Sequence, residues 1–105
     1  MGRKGKQHVR EYTYECRKTL DDCCKILDMN SQTDQARYDK FSQFVGDMDN
    51  AGFGDSVLFR EGIMFWSGPA VVVSSTDIDA VKKATCLPTQ TERVEHGQVA
   101  VYPYA

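Results

Sequence analysis

The sequence predicts an α+β fold: an N-terminal helical hairpin packed on a mainly antiparallel sheet of four or five strands, with one inserted helix. Three observations predict it. Up to position 50, apolar residues recur every three or four positions, the period of a helix with one buried face. From Gly54 onward the pattern changes to short runs rich in Val, Phe and Trp, punctuated by Gly and Pro, as in strands and turns. The length, 105 residues, suits one domain with a single modest core.

The first seven residues, MGRKGKQ, predict a flexible basic arm ahead of a domain over 8–105. Arg3, Lys4, Lys6 and Arg10 make the first ten residues basic, whereas the rest of the chain has acids in excess. From Val9, the residues Tyr12, Cys16, Leu20, Cys23 and Leu27 continue one helical face, with Arg17, Lys18, Asp21, Asp22 and Lys25 mostly opposite. Positions 28–31 break that pattern, and Asn30 or Ser31 suits the next N-cap. A second helix is predicted over 33–50, with Tyr38, Phe41, Phe44, Val45 and Met48 as its apolar stripe. Gly52 suits the left-handed residue after its last turn. The short connection makes the two helices an antiparallel hairpin.

Positions 56–75 hold the only Trp and the longest apolar run. They read as three strands, 56–60, 63–66 and 70–74, with turns at Glu61-Gly62 and Ser67-Gly68-Pro69. Ser75 or Thr76 caps a third helix that turns Ile78, Val81 and Ala84 inward and stops at Leu87-Pro88. Positions 89–95 and 99–102 read as returning strands, with a bend at Gly97.

The predicted strands over 63–66 and 70–73 are apolar on both faces of the pleat, a pattern that calls for cover on both sides. Two helices cover one face, and a short third helix covers only part of the other. The surplus implies a contact surface for a protein partner or a second copy, giving a homodimer. Phe59, Arg60, Met64, Phe65, Trp66 and Tyr102 are its candidate partner-binding residues. Trp66 serves either as the anchor of that contact or as core.

Catalytic and metal chemistry finds no support in the motifs. There is no phosphate-binding loop, dinucleotide fingerprint or nucleophile elbow. Cys16, Cys23, Cys24 and Cys86 form no C-x-x-C pair, and Cys16 and Cys23 stand about 10 Å apart by helix rise, too far to share one zinc ion. They read as reduced, buried apolar thiols. The stretch 47–58 matches a calcium loop in part but has Ala51 and Leu58 where ligands are needed. His96, beside Gly97, reads as a solvated turn residue. No catalytic residue, metal or cofactor is therefore expected.

No run is apolar enough to span a membrane and no secretory signal is expected, which points to the cytoplasm. These features together predict a small non-enzymatic protein-binding module. By association with other small chains lacking catalytic motifs, they suggest a virus- or phage-encoded inhibitor of a host factor, acting in the host cytoplasm. The alternative is a nucleic-acid-binding protein using Arg3, Lys4, Lys6 and Arg10 together with the sheet aromatics. The acidic body and the scarcity of Lys and Arg on strands weigh against it.

Overall fold

The computed structural model describes residues 12–63 and 66–104. The predicted basic arm, with Arg3, Lys4, Lys6 and Arg10, lies outside the described residues, as do Met64 and Phe65. The architecture is α+β, with a helical hairpin followed by a four-stranded antiparallel sheet that contains one inserted helix.

Helix α1 spans Tyr14–Ile26. It begins later than the periodicity from Val9 suggests, because Thr13 supplies the cap: its Oγ1 accepts from the Cys16 N–H at 3.2 Å. The same hydroxyl donates to the Gly54 carbonyl at 3.3 Å, and Cys16 Sγ donates to that carbonyl at 3.5 Å. The start of α1 is thereby tied to the 3-10 turn Gly54–Ser56, through which the chain enters the sheet. Helix α2 spans Gln32–Asn50 and is capped by Ser31, whose Oγ accepts from the Asp34 N–H at 3.4 Å. Gly52 follows at φ 90°, the left-handed conformation that a Cβ disfavours.

Strands β1 (Val57–Ile63) and β2 (Trp66–Ser74) form a hairpin. The inserted helix α3 is Ile78–Lys83, and β3 (Thr89–Arg93) and β4 (Gln98–Pro103) complete the sheet in the order β1-β2-β4-β3. The central stretch thus forms two strands where three are predicted. Ser67, Gly68 and Pro69 lie inside β2, opposite Glu61, Arg60 and Phe59. Pro69 is tolerated there because the β2–β4 ladder ends at Val71↔Val101. Continued by two residues, that register would set Pro69 against Pro103, two residues with no N–H to give. The chain reverses between Ile63 and Trp66, which pair with each other, and Gly62 is the extra residue of a bulge in β1.

The register places Val57, Val71, Val73, Val99 and Val101 on one side of the pleat. They share one core with Cys16 and Leu20 of α1, Phe44, Val45 and Met48 of α2, and Val81 of α3. All three helices therefore pack on the same side, and α3 does not cross to the other face as predicted. A long-range bracket holds it there: Thr85 Oγ1 donates to Asp47 Oδ2 at 2.8 Å and accepts from the Leu87 N–H at 3.2 Å.

Candidate protein-docking face

Strand residues alternate sides, so Leu58, Arg60 and Val72 point away from the side that carries the helices. All three are half-buried. Leu58 pairs with Ala70 and Val72 with Ala100, so small, fully buried residues stand beside larger ones and the face dips. The β3–β4 turn raises the far wall. Val94 N–H donates to the Gln98 carbonyl at 3.0 Å, and His96 and Gly97 both take left-handed angles, φ 61° and 73°. The result is a concavity of about 450 Å³ between Leu58, Arg60 and Val72 on one side and Arg93, Val94 and His96 on the other. Arg60 lines it, and its Nε is buried with no hydrogen-bond partner. Glu95 stands at the rim, 91% exposed at its side chain.

The sequence-predicted residues distribute unevenly around this face. Arg60 lines the concavity. Phe59, on the alternate side of β1, is half-buried against the cluster that holds Cys23 and Phe41. Trp66 and Tyr102 are brought together in the same cluster, near the hairpin end, and Val72 and Val94 pack against it. The Trp66 ring stacks on Tyr102 at 5.4 Å and 28°, meets Phe41 edge-on at 5.4 Å and 73°, and meets Tyr104 at 6.3 Å. Trp66 is 9% and Tyr102 3% exposed, so both are core rings in this chain. Burial, with the Glu92 carboxylate nearby, raises the Tyr102 phenol above its ordinary pKa. Leu58, Val72 and Val94 were not singled out by sequence. Their signal is available only in part: alternation assigns Leu58 and Val72 to one side, but not which side the helices take.

No family model, curated protein or solved structure matches the chain. The reading of the site therefore rests on its own geometry. Among the described residues, no helix is long and apolar enough to cross a membrane, and no three His, Cys, Asp or Glu side chains converge to hold a metal ion. The acidic end of α2 has a structural use instead, since Asp47 accepts from the Thr85 hydroxyl.

The cysteines divide where uniform burial is predicted. Cys16 and Cys23 are fully buried, whereas Cys24 and Cys86 are exposed, and all four are free thiols. Burial, helped by Cys24 and Asp22 nearby, pushes the Cys23 thiol up to about 12, which leaves it protonated and inert at neutral pH. A disulfide reagent in mildly alkaline buffer is expected to label Cys24 and Cys86 at once, and Cys16 and Cys23 only as the protein unfolds. Four equally fast thiols in a kinetic trace would contradict this packing.

Proposed function

We propose that this chain is a small non-enzymatic protein-binding module that docks its partner on the side of the sheet away from its valine core. One observation carries the reading: a concavity walled by Leu58, Val72 and Val94 lies on the side of the sheet away from the valine core, where among the described residues the helices reach in through Phe41 against Trp66 and Gly68. Apolar side chains left half-exposed at a concave surface, with polar groups around them, are the usual make-up of a protein contact. Blocking a host factor by occupying its surface, as a virus- or phage-encoded inhibitor does, needs no more machinery than this. Self-association into a homodimer would use the same side chains.

The test is a pair of charge insertions, Leu58→Asp and Val72→Asp. A partner is first captured with the wild-type chain, purified, and titrated against all three proteins. Each variant is expected to bind about tenfold more weakly or worse, the effect of losing roughly 1.4 kcal/mol at a contact centre. The melting temperature of Leu58→Asp should stay close to wild type, because Leu58 belongs to neither core cluster, whereas Val72→Asp should melt lower, because Val72 packs against the cluster of Trp66 and Tyr102, and its affinity is read well below its midpoint. Partner affinity unchanged in both variants would remove the proposal. Sedimentation of wild type against the variants tests the homodimer in the same way.

A further inference from the structure

We infer that the docking face takes an acidic–apolar peptide segment of a partner protein, whose single carboxylate is gripped by Arg60. The inference rests on the docking reading above and adds the chemistry of the occupant.

Arg60 is set apart among the described cations by a buried side-chain donor that has no acceptor. Lys18 and Lys25 both pair with Asp22, and Arg37 with Asp34, at 3.2–3.3 Å. Among the described residues, neither Arg60 nor Arg93 makes an ion pair, although the body around them is rich in carboxylates. The Nε–H of Arg60 is withdrawn from solvent and has no acceptor. A buried donor left unpaired is costly, so an occupant that brings an acceptor gains more here than at the open surface. The Nε and one Nη of a guanidinium form a two-point fork that matches a carboxylate. Leu58, Val72 and Val94 beside it favour apolar side chains next to that carboxylate.

A polyanion fits less well. Nucleic acid calls for a run of cations and open aromatic rings, whereas Trp66 and Tyr102 are buried. Glu95, almost wholly exposed at the rim, repels a second negative charge close to the first.

The experiment selects binders from a display library of random peptides against the full chain, and titrates the most enriched synthetic peptide by calorimetry. The peptide is expected to carry one Asp or Glu beside apolar residues. Arg60→Gln in the protein, or amidation of that acid in the peptide, should each weaken binding about tenfold or more. The two changes together should weaken it no further than either alone, because they remove one shared interaction. Arg60→Lys should recover only part of the loss, since a point charge cannot form the fork. The peptide-side change tests the pairing without touching the protein, so a poorly folded Arg60 variant cannot mask the result.

If Leu58→Asp abolishes binding while Arg60→Gln and the amidated peptide bind as before, the carboxylate grip is overturned and the docking face stands. If the peptide binds Leu58→Asp as tightly as wild type, the face itself falls, and this inference with it. A selection that enriches no peptide, or enriched peptides without an acid, also overturns it. So does a single-stranded oligonucleotide that binds more tightly than the peptide through Arg60.

Discussion

Replacing Trp66 with Ala is expected to cost about 3–5 kcal/mol of stability and to lower the melting temperature by about 15 °C or more. The ring is 9% exposed and touches three other rings, Phe41, Tyr102 and Tyr104. Its removal takes away one of the largest apolar surfaces in the chain and leaves a cavity that the strands cannot close, because β2 is held in register by β1 alongside Trp66. Trp66→Phe should cost much less. Phe keeps an aromatic surface and deletes the indole Nε1–H, which is buried without a hydrogen-bond partner. Thermal melts read alongside light scattering separate this role from that of a contact anchor. A Trp66→Ala chain that melts like wild type but loses an oligomer or a partner would place the ring at an interface instead of in the core.

The second large effect is expected at Gly68. A Cβ built on this residue would lie 2.9 Å from Phe41 Cζ and 2.9 Å from Trp66 Cζ2. Both atoms belong to rigid rings already pressed against each other, so neither can retreat as the tip of a flexible side chain would. Gly68→Ala should therefore destabilise the fold by about 1–3 kcal/mol, the usual range for an overpacked core. Gly52 offers the opposite case. It has open space at its Cβ position but a φ of 90°, so Gly52→Ala is opposed by backbone strain and not by a clash. Denaturant midpoints of the two variants, compared with a Trp66→Ala/Gly68→Ala double mutant, identify the clash. Removing the ring should relieve part of the cost at Gly68. A Gly68→Ala protein with the wild-type midpoint would mean that the two rings do not converge on this residue.

The two effects are coupled through one feature of the chain. Val71↔Val101 is the last pair of the β2–β4 ladder, and beyond it β2 is bonded only to β1. The Trp66 cluster packs at that end of the hairpin. The concavity lies further along the sheet, between β1 and the β3–β4 turn, and Leu58 belongs to neither core cluster, so changes at Leu58 and in the aromatic cluster should combine nearly additively in stability, whereas Val72, packed against that cluster, should couple to it.

By itself, the sequence determined the helices, the change of period at Gly54, the inserted third helix and the α+β class, because each follows from spacing between near neighbours. Ser31 was legible as one of two candidate caps, with Asn30, and Gly52 as a left-handed stop, for the same reason. The strand count was not. Ser67-Gly68-Pro69 reads locally as a turn, and it becomes strand through pairing with Glu61, Arg60 and Phe59 across the hairpin, made where β2 has already left the β4 ladder and Pro69 has no N–H to give. The roles of Trp66, Cys24 and the open face were likewise decided by tertiary structure. Alternation sorts Leu58 from Val57 and Val72 from Val71, but it carries no information about which side receives the helices. That choice is made by contacts between residues far apart in sequence. It put α1, α2 and α3 on one side, and left Arg60 with Leu58 and Val72 on the other.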